Sequence, residues 1–118
     1  MINFRTPQTA LAYREAIHRG LLQGSCVLCS KPSLEAFIHW KILPNDYPYD
    51  EIAEVHHMIV PVRHVTEQNL TSEEREELEK IREEYIHPNY DYILEGTQKT
   101  KTVPAHYHLH LIVIKKDS

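Results

Sequence analysis

Toward its C-terminal end the chain reads Pro104-Ala105-His106-Tyr107-His108-Leu109-His110-Leu111-Ile112-Val113, with histidine at every second position from 106 to 110. In an extended strand successive side chains point to opposite faces, so His106, His108 and His110 share one face and Tyr107, Leu109 and Leu111 the other. An imidazole near neutral pH can give or take a proton, ligate a metal through either nitrogen, or carry a transferred group after nucleophilic attack. Three on one face bring a phosphate ligand, a nucleophile and a proton donor within reach of one another. The same alternation would also serve as a polar ladder on a solvated sheet face, although such ladders are usually built from Thr, Lys or Glu.

Two further sets of residues could do chemistry. Cys26 and Cys29 are the two cysteines of the chain and form a C-x-x-C; in a reducing compartment that spacing points to metal or redox chemistry before a structural disulfide. The pair supplies two of the four ligands a tetrahedral zinc site needs and leaves two to come from elsewhere. A thioredoxin-like redox pair would require a surrounding βαβ unit, which the pattern lacks, and two small buried thiols are the remaining use. His56 and His57 are adjacent on a second apolar stretch, EVHHMIVPV, and must face opposite ways, so at most one of them can join the triad.

These residues have to be positioned by one modest core. The chain has 118 residues, 42% hydrophobic and 25% charged, the size and composition of a single ordinary domain spanning 1–118. A net charge of -4 without a dense Lys/Arg cluster argues against stable nucleic-acid binding through phosphates. No apolar run approaches the roughly 20 residues that span a bilayer, and MINFRTPQTA lacks the layout of a secretory signal, so no membrane partner and a cytoplasmic location are expected.

Along the chain, residues 7–19 read as a leading helix with Thr6 as N-cap, Pro7 at the first position, Gly20 as the stop, and Leu11, Ala16 and Ile17 at helical spacing. A cysteine-bearing turn follows, and then LEAFIHWKIL reads as a strand through Phe37, Ile38, Trp40 and Ile42. LPNDYPYDE is a loop whose Tyr47 and Tyr49 need a surface or ligand to cover them. After EVHHMIVPV, a capping-box pattern at Thr71 opens the charged helix TSEEREELEKIREEYI, with Leu78, Ile81 and Tyr85 recurring at three- and four-residue intervals. His87-Pro88-Asn89 ends it, YDYIL is a strand, GTQKTKTVP a polar loop, and the histidine strand follows. This order predicts an α+β fold, a mostly antiparallel sheet with helices packed on one face.

The residues HYHLHLI match the His-φ-His-φ-His-φ-φ pattern (φ hydrophobic) of the histidine triad superfamily of nucleotide-binding hydrolases and transferases. HHMIVPVRHV resembles that superfamily's second signature, and CVLC resembles the zinc-binding start of many bacterial members. The three motifs make a motif-bearing core of about 26–114. The resemblance implies that His108 attacks the α-phosphorus of a nucleoside phosphate derivative to give a covalent nucleotidyl-histidine, that His110 helps to hold the phosphate oxygens, and that His56 lies beside them. It implies a structural zinc on Cys26, Cys29, His64 and His106, as in zinc-bearing members and the related galactose-1-phosphate uridylyltransferases. It further implies a nucleotide or nucleotide conjugate as ligand and a two-fold homodimer across the long helix and a neighbouring strand, so that Leu78, Ile81 and Tyr85 serve either the core or that interface.

For the nucleoside, Phe37, Ile38, Trp40 and Ile42 are candidates for an apolar pocket wall, with Asn45 and Asp46 near the place where family members set an acid on the ribose hydroxyls. Lys101-Thr102-Val103 stand where the nucleotide-binding branch carries Gly-Gln-Ser, and Glu95 stands near its asparagine. Lys99, Lys101 and Thr102 are then the candidate replacements for the phosphate contacts. The alternative to an enzyme is a nucleotide-sensing or scaffold protein that keeps the fold and zinc with little or no turnover. A third possibility, a catalytic metal held by His106, His108 and His110, would leave Cys26 and Cys29 unexplained.

Overall fold

Local capping decides where the helices begin. Thr6 Oγ1 accepts the Thr9 amide and Pro7 takes the first turn of α1 (Pro7–His18), where a missing N–H costs nothing. Gly20, with φ 73°, follows the end of the helix in the left-handed region, a conformation that favours glycine. At α3 (Ser72–Ile81) the capping box is complete, the Glu74 amide donating to Thr71 Oγ1 at 3.1 Å and the Thr71 amide to Glu74 Oε1 at 2.8 Å.

The computed structural model describes residues 3–20, 26–97 and 106–116. It contains a five-stranded sheet in the order β1-β2-β3-β5-β4, every neighbouring pair antiparallel. The strands are β1 (Glu35–Ala36), β2 (Trp40–Pro44), β3 (Ala53–Pro61), β4 (Tyr92–Leu94) and β5 (Leu109–Ile114), and a short helical turn, α2 (Val27–Ser30), precedes β1. The expected α+β class with an antiparallel sheet is therefore the class of the structure.

Register assigns the faces. Ile42 pairs with Ile59 and Ile59 with Leu109, so these three share one face, and with Trp40, Tyr107 and Leu111 they bury Leu78, Ile81 and Ile86 of the long helical segment. Leu43 pairs with Met58 and Met58 with His110 on the other face, where Leu28 of α2 packs against Leu43, Met58 and Val60. Leu78 and Ile81 thus belong to the core, and Tyr85 meets Phe37 edge-on with ring centroids 5.6 Å apart.

Several elements differ from the sequence expectation. LEAFIHWKIL is a hairpin, β1 and β2, whose connection at Phe37–His39 is pinned by Glu77: its carboxylate accepts the Ile38 amide at 3.1 Å and the His39 amide at 2.6 Å. The long helix ends at His87-Pro88-Asn89 as expected, but its last turns change form: it passes through a π turn (Arg82–Ile86) into α4 (His87–Asn89), with Pro88 in the first turn, a position proline tolerates. Leu11 and Ile17 of α1 are exposed and Ala16 is its buried residue. Regular pairing of the histidine strand starts at Leu109, after His106 and His108.

Glu74 ties α3 to the segment after β3. Its oxygens receive Arg63 Nε at 3.0 Å and Nη2 at 2.9 Å, and its carbonyl receives Trp40 Nε1 at 2.8 Å. The Arg63 bonds, working against burial and joined by the Thr71 amide, hold the Glu74 carboxyl down at about 2. A carboxylate with a depressed folded-state pKa stabilises the fold fully above its unfolded value of about 4.5 and loses that contribution as pH falls toward 2. Glu74→Gln should therefore lower stability at pH 7 by about 2 kcal/mol. Denaturant midpoints across the acid range should show this difference shrinking below pH 4.5; a difference independent of pH would contradict the ionic role of Glu74.

Candidate functional site

The first cluster joins three distant parts of the chain. The α2 turn brings Cys26 and Cys29, the segment leaving β3 brings His64, and the approach to β5 brings His106. Cys26 Sγ lies 3.3 Å from His106 Nδ1, Cys29 Sγ 3.3 Å from His64 Nδ1 and 3.5 Å from His106 Nδ1. All four ligand atoms fall within 4.8 Å of one another. A tetrahedral ion with bonds near 2.3 Å to sulfur and 2.0–2.1 Å to nitrogen needs ligand–ligand edges of about 3.3–3.8 Å, so the measured S···N separations are already of the right length. The donor set could hold a metal ion, and the four residues are those singled out in the sequence.

His106 is fixed for that task. Its ring is fully buried and Nε2–H donates to the Pro61 carbonyl at 2.9 Å, which leaves the lone pair on Nδ1 facing the sulfurs, the outer-shell arrangement expected of a ligating histidine. Burial holds the imidazole below the usual histidine range, with the Pro61 bond acting in the opposite sense and the charges of His64 and Lys41 adding to the depression. Burial and the neighbouring Cys26 push the Cys29 thiol up.

The second cluster is a chain of imidazoles on the β3–β5 pair. His108 and His110 are 7% and 9% exposed, which excludes a solvated polar ladder. His108 Nδ1–H donates to the carbonyl of His106 at 3.0 Å; a carbonyl only accepts, so the lone pair of His108 resides on Nε2. The Tyr49 amide donates to His56 Nδ1 at 2.9 Å, and His56 Nε2 stands 2.8 Å from His110 Nδ1. A neutral His56 that accepts at Nδ1 must carry its proton on Nε2 and donate it to His110 Nδ1, which leaves the His110 proton on Nε2. Burial pushes His56 down to about 4, the charge of Arg5 and the neighbouring His57 adding to the effect, so it is neutral at physiological pH. His57 faces the helix side, where its Nδ1 meets the Tyr90 hydroxyl at 2.7 Å.

Around this pair the structure adds residues the motifs do not contain. The Tyr49 ring is tilted over His56 and His110, with centroids 4.3 and 5.2 Å away. Phe4 and the Arg5 guanidinium approach the same ring at 5.3 and 4.8 Å. Asp50 accepts the Thr6 amide at 2.8 Å, the Thr6 hydroxyl at 3.2 Å and the Thr9 hydroxyl at 2.5 Å, clamping the start of α1 to the loop before β3. The two loop tyrosines thus find their cover in α1 and the imidazoles. That aromatic-rich loop is the sequence signal that something must cover them; its partners are not legible in it.

The proposed nucleoside wall is not at this site. Trp40 and Ile42 are buried beneath the helical segment on the face opposite His108 and His110, and Phe37 packs with them. Ile38, 81% exposed, lies in the hairpin connection. The reason is register: the odd-numbered residues of β2, Lys41 and Leu43, share the imidazole face. Asn45 does reach the site, its Nδ2 lying 3.4 Å from His56 Nε2 while Oδ1 accepts the Tyr47 amide at 2.8 Å. Asp46 turns outward into an ion pair with Lys31 at 2.9 Å. Lys99, Lys101 and Thr102 lie outside the described residues.

No family model and no curated protein matches the chain, so the site stands on its geometry. Among the described residues no helix is long and apolar enough to cross a membrane.

The depressed pKa of His56 has a measurable sign. The unfolded chain takes up a proton near pH 6.5 and the folded chain only at about 4, so this residue removes stability as pH falls across that window. The His56 ring resonances should keep their neutral-form shifts to pH 5 and move near pH 4; titration close to pH 6.5 would contradict the buried, amide-bonded imidazole.

Proposed function

We propose that the protein is a nucleotidyl hydrolase or transferase of the histidine triad type, acting on the α-phosphate of a nucleoside phosphate derivative through a covalent nucleotidyl-histidine at His108. The observation that carries the reading is the bond from His108 Nδ1 to the His106 carbonyl, 3.0 Å long. It favours one tautomer, aims the Nε2 lone pair away from its own backbone, and leaves Nδ1–H bonded when the ring becomes cationic.

In the first step His108 Nε2 forms a bond to phosphorus and the leaving group departs with the electrons of its own bond. In the second, water or another acceptor attacks the same phosphorus and the P–N bond breaks, returning the pair to Nε2. Across both steps of hydrolysis the hydroxyl of water ends on phosphorus and its hydrogen on the leaving group. His110, through Nε2–H, donates to the phosphate oxygens, and such donors act where charge develops. His56 supports the proton arrangement of His110.

The metal in this proposal is zinc, which suits two thiolates and two imidazoles. With all four positions filled by Cys26, Cys29, His64 and His106 it has no open site, and when bound it supplies a cross-link that steadies His106. A two-fold homodimer in the cytoplasm completes the reading. Exposed Tyr92 on edge strand β4 is available to such an interface, whereas Leu78 and Ile81 are occupied in the core.

Turnover of adenosine and guanosine phosphoramidates and dinucleoside polyphosphates, by wild type and His108→Ala with metal content recorded on both, tests the reading. Wild-type turnover should drop on the order of a thousandfold in the variant, with zinc retained. Nucleotide binding without turnover in the wild type would replace the enzyme by the sensing protein. Cys29→Ser should lose zinc and lower the melting temperature; zinc content equal to wild type would remove Cys29 from the ligand set.

A further inference from the structure

The chain Tyr49 N–H to His56 Nδ1, 2.9 Å, and His56 Nε2 to His110 Nδ1, 2.8 Å, puts a backbone amide at the head of a hydrogen-bonded chain that runs through two imidazoles. That amide does not lie in a strand. It belongs to the loop before β3, so something must hold it against His56. The Tyr49 ring does part of this by lying on both imidazoles, at 4.3 and 5.2 Å. Behind Tyr49 stands Arg5, whose guanidinium is 4.8 Å from the Tyr49 ring and 3.9 Å from that of Tyr13, and whose Nε donates to the Tyr47 carbonyl at 2.8 Å. Arg5 in turn immediately precedes Thr6, which Asp50 anchors.

We propose that Tyr49 is a positioning residue for the His56–His110 pair and that Arg5 holds it there, so that the N-terminal segment decides whether Nε2 of His110 presents a proton to the bound phosphate. The inference rests on the reading of His110 as a phosphate donor. Were the Tyr49 amide released, His56 could carry its proton on Nδ1 and accept from His110 Nδ1–H, which would turn the His110 Nε2 lone pair toward an anionic oxygen. A hydrogen bond would be exchanged for repulsion between two acceptors. Arg5 contributes a cation over the ring faces, an interaction that strengthens where water is excluded, and its positive charge also disfavours a protonated His56.

The test is long-range 1H–15N spectroscopy of the histidine ring nitrogens, paired with kinetics on a nucleoside phosphoramidate, for wild type, Tyr49→Phe, Tyr49→Ala and Arg5→Gln. Wild type and Tyr49→Phe should show unprotonated Nδ1 and protonated Nε2 for both His56 and His110. Tyr49→Ala and Arg5→Gln should show averaged ring nitrogens and a kcat lower by about tenfold. A purely structural role would lower the melting temperature without moving the ring-nitrogen pattern. Arg5 is half-buried and outside the sheet, so Arg5→Gln keeps the test intact should Tyr49→Ala fail to fold. An unchanged pattern in the variants overturns the inference, as does a changed pattern with wild-type kcat. Absence of turnover in the wild type would fall on the proposed function instead, and the spectra would still decide whether Tyr49 sets the tautomers.

Discussion

The bond from His106 Nε2 to the Pro61 carbonyl is the constraint on which the site depends. It spans 45 positions of sequence and is fully buried, where leaving a donor unmet is costly. By using one ring nitrogen it assigns the other to the sulfurs of Cys26 and Cys29. By fixing the residue it also places the His106 carbonyl, which receives His108 Nδ1. Two clusters of different character, one of sulfur and nitrogen ligands and one of imidazoles, therefore share a single hinge pin. A shift of His106 would be felt in both.

The sheet separates supporting from chemical roles by the alternation of side chains. On one face, Trp40, Ile42, Ile59, Leu109 and Leu111 pack against the helical segment, with the Trp40 indole bonded to the Glu74 carbonyl. On the other, Met58 and Leu43 make a small apolar floor beside His56 and His110. The two adjacent histidines of β3 illustrate the division: His57 finds Tyr90 among the helix-side residues, and His56 finds His110. Arg63 and Glu74 carry the helix side across to the ligand cluster, since Arg63 immediately precedes His64 and its guanidinium is held by the capping carboxylate of α3.

What the sequence makes legible follows from how local each signal is. The start of α3 is readable because a capping box needs four consecutive residues, and the split of His110 from Leu109 and Leu111 because alternation is a property of the strand itself. The four candidate metal-binding residues are reached through a resemblance to histidine triad proteins, and the structure brings their ligand atoms within 4.8 Å of one another. The nucleoside wall is misread because Trp40 and Ile42 can be assigned to a face only when the register with Ile59 is known. The hairpin at Phe37–His39 is hidden for another reason: no glycine or asparagine marks it, and its turn is held by Glu77 from a distant helix. Tyr49 and Arg5 escape because their contact with the imidazoles depends on where α1 docks, and that docking is set by Asp50, 44 positions from Thr6.

The strand order carries a consequence for how the chain is made. β5 lies between β3 and β4, so while the ribosome is still adding the residues before it, the hairpin of β1 and β2 with β3 has an open side and β4 has no partner. The side left open is the one bearing His56 through Ile59. Unpaired strand edges recruit other chains, and pairings between distant segments form slowly because closure entropy precedes their reward. Pairing of β5 covers that edge and brings His110 to His56 in the same step, so closing the sheet and assembling the imidazole pair are one event.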